Sequence, residues 1–186
     1  MEKIKVGLLV GSLRKESFNR KTAKYLMEIA PEGYSLELVE IGQLPFYNED
    51  SEGDALPASY ADFRKQIEGF DAFIFVTPEY NRSLPAVLKN AIDVASRPYG
   101  KSKWGGKPGA VISVSIGAIG GFGANHHLRQ SLVFVDVPTM AQPEAYIGNA
   151  AKLFDEQGKL INEDTQKFLK GFMGAFEKWV ARFVKK

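Results

Sequence analysis

A polar loop with one arginine follows the first apolar segment of the chain. It reads GSLRKESFN at positions 11–19 and combines serine hydroxyls with the guanidinium of Arg14 and the amide of Asn19. Ser17 is placed to cap a following helix, whose first N–H groups carry partial positive charge. The paired N–H donors of an arginine guanidinium and the free amides at a helix start suit one terminal phosphate dianion. The alternative is a surface turn in which Ser17 is only a helix cap.

The same loop lacks the glycine spacing of the common nucleotide-binding motifs. Gly11 has no glycine partner before the helix, so the loop matches neither G-x-G-x-x-G nor G-x-x-x-x-G-K-[ST]. Those spacings let the backbone lie against a pyrophosphate or cradle a triphosphate. The loop therefore favours a terminal phosphate over either of these groups.

A second loop of unusual composition, TPEYNRSLP at 77–85, directly follows a buried apolar run. Pro78 stiffens its backbone, while Tyr80 and Asn81 add a flat aromatic ring and an amide beyond the sheet edge. Glu79 is suited to accept hydrogen bonds from a bound ring, a helix N-terminus or a neighbouring subunit. The alternative for Tyr80 is that it merely covers the next helix.

The third loop, SIGAIGGFG at 115–123, is rich in glycine. Gly117 and the glycines after it allow close backbone approach, and Ser115 lies at a strand end within reach of the same ligand. A phosphate pocket, a slot for a planar ring and a glycine wall together indicate a site for a mononucleotide with a large planar ring system.

Several other chemistries are excluded by composition. The chain has no cysteine and two histidines, which are adjacent and cannot act as i, i+4 metal ligands. It has no G-x-S-x-G motif. We therefore assign no catalytic side chain and no metal ligand. The net charge of +2 gives no reason to expect nucleic acid or a membrane as partner, and with no signal peptide or apolar span we expect a cytoplasmic protein.

The elements that must position these loops alternate along the 186 residues. Apolar runs predict strands at 4–11, 35–41, 71–78 and 108–116, with a short strand between Thr139 and Ile147. Helical spacing predicts a helix from Ser17 to Pro31 and others at 58–69, 84–96, 125–135 and about 164–184. The loop from Pro45 to Pro57, which contains the acidic segment 48–54, is interpreted as a solvated connection. The aromatic stripe of the last helix is interpreted as packing on the sheet rather than as a cofactor-binding site.

Alternating strands and helices predict a three-layer, doubly wound α/β fold with a five-stranded parallel sheet. Five strands favour the flavodoxin-like order 2-1-3-4-5 over the six-stranded order 3-2-1-4-5-6, and we expect one domain over residues 1–186. In such a sheet ligands bind at the carboxyl edge, beside the switch point between strands 1 and 3. All three unusual loops lie at that edge.

The three loops together resemble one known family. GSLRKESFN, TPEYNRSLPAVLKNAID at 77–93 and the S-x-G-x-x-G-G stretch from Ser115 are similar to the NADPH-dependent FMN reductase family, in particular to bacterial NAD(P)H:quinone reductases also described as chromate reductases. The similarity continues through HLRQSLVFVD at 127–136. Glu16 stands where a small residue is common in the family, and Arg82 where an aromatic residue is common.

The resemblance implies a flavodoxin-like fold, non-covalently bound FMN, and NADPH or NADH as co-substrate in a ping-pong reaction. It implies a small-molecule electron acceptor such as a quinone, chromate, an azo compound or free flavin. It also implies a homodimer or homotetramer. The cofactor-binding residues that it implies are Ser12, Leu13, Arg14, Lys15, Glu16, Ser17, Phe18, Asn19, Pro78, Glu79, Tyr80, Asn81, Ser115 and Gly117.

Two other functions fit the same fold. A flavodoxin-type electron carrier would bind FMN without NAD(P)H turnover, but the loop arginine and the charge of +2 disfavour it. A response-regulator-like signalling domain needs an acidic cluster at the ends of strands 1 and 3, where this chain reads VGS and VTP. The residues therefore favour the reductase.

Overall fold

Five parallel strands form one sheet in the computed structural model, which describes residues 2–185. The strands are β1 (Ile4–Val10), β2 (Tyr34–Val39), β3 (Ala72–Thr77), β4 (Gly109–Val114) and β5 (Ala145–Ile147). The helices are α1 (Phe18–Glu28), α2 (Ala58–Glu68), α3 (Ala86–Ala95), α4 (Phe122–Phe134) and α5 (Glu163–Val180). Within the described residues, no helix is both long enough and apolar enough to cross a bilayer.

The strand order is β2-β1-β3-β4-β5, which confirms the predicted flavodoxin-like sheet. β1 lies between β2 and β3, with Val6 opposite both Leu36 and Ala72. After β1 the chain runs first to one neighbour and then to the other. The loops after β1 and β3 therefore diverge at the carboxyl edge and leave a crevice there.

Each face of the sheet has its own core. One face packs on α1 and α5, where Leu26, Phe172 and Phe176 are fully buried. The aromatic stripe of α5 is thus packing, as predicted. The other face packs on α2, α3 and α4 around Trp104, whose ring lies 4.9 Å from the ring of Phe73. β3 and β4 are buried along their whole length, which accounts for their continuous apolar sequences.

Several element boundaries differ from those predicted, and three of the differences have a clear physical cause. α4 begins at Phe122 instead of residue 125, because Gly121 provides a left-handed turn directly before it. β5 is only three residues long, since Pro143, inside the predicted range, has no N–H to donate to a ladder. α5 ends at Val180 instead of 184, where the following residues are mostly exposed and no longer gain from packing.

The segment before α2 is better anchored than a solvated connection. It forms two short 3-10 turns, and Glu52 between them forms a bidentate ion pair with Arg64 of α2. The Arg64 Nε also donates to the carbonyl of Val94 at 2.8 Å. Asn90 of α3 accepts from the amide of Tyr47 at 2.8 Å. The segment is therefore fastened to two helices, and the expectation of a merely solvated loop is wrong for Glu52.

Candidate functional site

The three unusual loops meet at the carboxyl edge of β1, β3 and β4, where they enclose two adjoining clefts. The first cleft, of about 210 Å³, is lined by Ser12, Arg14, Ser17, Phe18, Asn19, Pro78, Glu79, Tyr80, Val114, Ser115 and Ile116. The second, of about 370 Å³, is lined by Glu79, Asn81, Arg82, Ser115 and residues 117–121. Glu79 and Ser115 line both clefts, so the two clefts adjoin. This is the crevice expected at the switch point.

The N-terminus of α1 forms one end of the first cleft. The Ser17 hydroxyl accepts from the amide of Arg20 at 3.2 Å, so the predicted cap is present. The amides of Phe18 and Asn19 belong to the first turn, where a helix offers no internal acceptor. The first turn of α1 contains no acidic residue. Together with Arg14, this end of the cleft is electropositive and rich in donors.

Asn19 lies under the same end and is 5% exposed. Its Nδ2 donates to the carbonyl of Val114 at 3.3 Å, which fixes the orientation of the amide. Its Oδ1 is buried and has no hydrogen-bond partner among the described residues. A buried acceptor without a donor costs about 1–3 kcal/mol. A ligand hydroxyl or N–H at this point would satisfy it.

Three of the predicted residues point elsewhere than the cleft. The Leu13 side chain is 62% exposed and contacts Gly42. Glu16 pairs with Lys21 at 3.1 Å, and the hydrogen bond from Lys21 lowers the pKa of the Glu16 carboxyl. Lys15 and Glu16 line a separate cleft beside α1. The carboxylate of Glu16 is therefore neutralised away from the donor-rich end of the first cleft.

The second loop ends in a tight turn that carries backbone strain. Tyr80 and Ser83 exchange backbone hydrogen bonds of 3.0 Å in both directions. Asn81 and Arg82 between them have φ angles of 51° and 63°, as a type I′ turn requires. Asparagine tolerates this region, whereas an arginine in it costs on the order of 1 kcal/mol.

Glu79 holds this turn against α4. Its Oε2 accepts from the amide of Ala124 at 3.0 Å and its Oε1 accepts from Arg82 Nη1 at 3.0 Å. The helix has no side-chain cap of its own. Among the donors predicted for Glu79, the helix N-terminus is the partner observed. A carboxylate at that point is stabilised by the helix dipole.

Glycine is required where the third loop crosses β5. A Cβ on Gly120, which has φ 66°, would lie 2.6 Å from the backbone carbon of Tyr146. Ser115 Oγ accepts from the amide of Gly117 at 3.2 Å and shapes the start of the loop. The predicted glycine wall is therefore a close backbone contact with the edge strand.

The outer side of this wall holds a titratable cluster that sequence reasoning missed. The Tyr146 hydroxyl lies 2.9 Å from His126 Nε2, and burial together with Glu144 raises the pKa of Tyr146 to about 12. Phe122 packs on the His126 ring at 4.3 Å. No spacing signal links these residues, because the contact depends on how α4 crosses β5. The described part of the chain has no group of three or more potential metal ligands.

Comparison with known proteins adds a family relationship to this geometry. The chain matches the sequence profile described as "NADPH-dependent FMN reductase" over residues 4–152. It is similar to a quinone reductase of Pseudomonas putida, with 62% identity over 175 residues and 94% of each chain covered. It is also similar to a 2-hydroxy-1,4-benzoquinone reductase of Burkholderia sp., with 47% identity over 177 residues that cover 95% of this chain and 96% of that one. Among solved structures, the flavoenzyme NAD(P)H:(acceptor) oxidoreductase FerB of Paracoccus denitrificans superposes with a TM-score of 0.89 at 44% identity, covering 96% of this chain and 98% of that one.

Proposed function

The chain belongs to the NADPH-dependent FMN reductase family, whose members are oxidoreductases that use FMN and NAD(P)H, and we propose that it reduces quinones at the paired clefts. NADH or NADPH and the acceptor would bind in turn at the same face, in a ping-pong reaction. The observation that carries this proposal is that the two clefts, one with a donor-rich end and one glycine-walled, adjoin at Glu79 and Ser115.

The residues of the first cleft fit FMN. Arg14, Ser12, Ser17 and the first amides of α1 are the donors that a terminal phosphate needs, and no carboxylate competes in that first turn. The buried Oδ1 of Asn19 has no donor among residues 2–185, and a hydroxyl of a ribityl chain would supply one. The set proposed to bind the cofactor remains Ser12–Asn19, Pro78–Asn81, Ser115 and Gly117. Within this set, Leu13, Lys15 and Glu16 would contact the cofactor only through their backbone atoms.

The protein's part in the reaction is binding and orientation. FMN, when bound, supplies the two-electron chemistry. Arg14 and the N-terminus of α1 would anchor its phosphate, while Pro78, Tyr80 and the glycine wall would keep a flat slot open above the sheet edge. Glu79 would keep the second and third loops in register by holding both Arg82 and the amide of Ala124. No side chain is assigned as an acid or base.

Quinones are the proposed acceptors because two similar proteins have names that specify quinone substrates. Chromate, azo compounds and free flavin are further expected acceptors. We place the protein in the cytoplasm, where NAD(P)H is available, as a single FMN-binding domain over residues 1–186. Assembly into a homodimer or homotetramer is supported by a groove of about 650 Å³ between α3 and α4, at whose rim Phe134 is 82% exposed.

An absorption spectrum of the purified protein, followed by anaerobic addition of NADPH or NADH, tests this function. We expect flavin bands that bleach rapidly with at least one nicotinamide, and FMN that is released when the protein is denatured. Reoxidation by 1,4-benzoquinone should restore the bands. Bound flavin that neither NADPH nor NADH reduces would indicate an electron carrier instead. A colourless protein that takes up no added FMN would contradict the proposal.

A further inference from the structure

Arg82 brings a guanidinium to the rim of the second cleft. Its side chain is 74% exposed and lines the cleft together with Asn81 and the glycine wall. Nη1 donates to Glu79 Oε1, whereas Nε and Nη2 have no partner among the described residues. The amide of Ala124 holds the other oxygen of Glu79, so the carboxylate is fixed in place. It therefore anchors the guanidinium at Nη1, while the other donors of Arg82 remain available to a ligand.

Stability alone does not account for an arginine at this position. Arg82 occupies a left-handed backbone conformation that glycine would adopt without strain. Its ion pair with Glu79 is solvent-exposed on the arginine side, and such pairs contribute little to folding. Non-glycine residues held in this region concentrate at functional sites. The strain and the free donors point to a ligand that Arg82 contacts.

The charges around the two clefts indicate what kind of ligand this is. Their lining contains two cations, Arg14 and Arg82, and one carboxylate, Glu79. Arg14 stands at the donor-rich end, beside the N-terminus of α1. Arg82 is therefore the cation that remains for a second substrate in the other cleft. Guanidinium donors form their strongest hydrogen bonds with ionised oxygens.

We propose that Arg82 selects the electron acceptor by charge, so that a quinone with an ionised ring hydroxyl is favoured over a neutral quinone of similar size. This inference rests on the proposed function, because it takes the second cleft as the place where the acceptor binds. It concerns substrate binding and leaves the electron transfer unchanged.

The test compares 2-hydroxy-1,4-naphthoquinone, which is ionised at neutral pH, with neutral 2-methoxy-1,4-naphthoquinone. The ratio of their kcat/KM values is measured for the native holoenzyme, Arg82→Gln and Arg82→Lys. We expect Arg82→Gln to lower the ratio about tenfold through the KM of the anionic quinone, as loss of a charge-assisted hydrogen bond implies. Arg82→Lys should keep most of the preference, and added salt should weaken it in the native enzyme. Comparing ratios cancels the different reduction potentials of the two quinones.

Lys170→Gln is the matched control, since Lys170 is exposed on α5 and lines neither cleft, yet its loss changes the net charge equally. It should leave the ratio unchanged. An Arg82→Gln enzyme that is active with an unaltered ratio would overturn the inference. A selective loss of kcat/KM for NADPH over NADH would also overturn it, because that result would assign Arg82 to the 2′-phosphate of NADPH. A native protein without bound FMN or NAD(P)H oxidation would instead contradict the proposed function itself.

Discussion

At the scale of single residues, the site is distinguished by polar groups that the protein leaves unsatisfied. Asn19 fixes its amide with one bond to Val114 and keeps a buried oxygen without a donor. Arg14 lines the same cleft and has no salt-bridge partner among the described residues. A buried acceptor without a donor is costly for folding, whereas the exposed guanidinium of Arg14 stays hydrated and costs the fold little. Their presence in one cleft is therefore best explained by a ligand that carries both hydroxyl donors and a phosphate.

Arg14→Ala should weaken FMN binding while leaving the fold intact. The change removes a charge-assisted fork from the phosphate, and hydrogen bonds to charged groups contribute about 1.5–3 kcal/mol, so the Kd should rise roughly ten- to hundredfold. Titration of apoprotein with FMN, followed by flavin fluorescence, measures this. Arg20→Ala is the control, because Arg20 pairs with Glu40 and does not line the cleft. Unchanged flavin content in purified Arg14→Ala would refute the phosphate assignment.

At the scale of elements, local sequence predicted the sheet and most helices but missed contacts between distant segments. β3 and β4 are predictable because burial on both faces requires continuous apolar runs. The partner of the first turn of α4 is not predictable, because the amide of Ala124 donates to the carboxylate of Glu79, 45 residues earlier in the chain. Arg82 is visible in the sequence, but the cleft that it borders exists only once the second and third loops meet. The ion pair of Glu52 is hidden in the same way, inside an acidic segment typical of a solvated loop.

Glu52→Gln should destabilise the protein at neutral pH by about 2 kcal/mol, since it leaves the nearly buried Arg64 guanidinium without a counter-charge. The hydrogen bond from Arg64 lowers the pKa of the Glu52 carboxyl from its ordinary value of 4.5. The ion pair is therefore fully stabilising above that value and is lost as the pH falls through the lowered pKa. Urea unfolding of both proteins across acidic pH should show their free energies of unfolding converging.

Asp54→Asn provides the comparison for this experiment. Asp54 is exposed in the same segment, and its substitution should change the free energy of unfolding by less than about 0.5 kcal/mol at neutral pH. A difference between native protein and Glu52→Gln that stays constant down to the most acidic pH would show that the effect is not electrostatic.

At the scale of the whole molecule, the two cores and the site account for most of the chain, and an apolar surface at the end of α4 is left uncovered. α4 buries Leu128 and Leu132 on the sheet, while Val133 and Phe134 at its end are 73% and 82% exposed. The groove between α3 and α4 runs beside them and includes Leu84 and Ile92. Exposed apolar residues along a groove mark an interaction surface. A second copy of the chain is the occupant expected from the family resemblance.

Phe134→Glu should therefore reduce the assembly state. We expect the native protein to have two or four times the 20.6 kDa mass of one chain by light scattering, and the variant to shift towards the single-chain mass. A carboxylate that the contact between copies buries without a partner opposes association. Ile161→Glu adds the same charge at another exposed apolar position, outside the groove, and should keep the native mass. If Phe134→Glu assembles as the native protein does, the contact between copies lies on another face. If the native protein is itself monomeric, the α3–α4 groove has a different occupant, and the paired clefts function within a single chain.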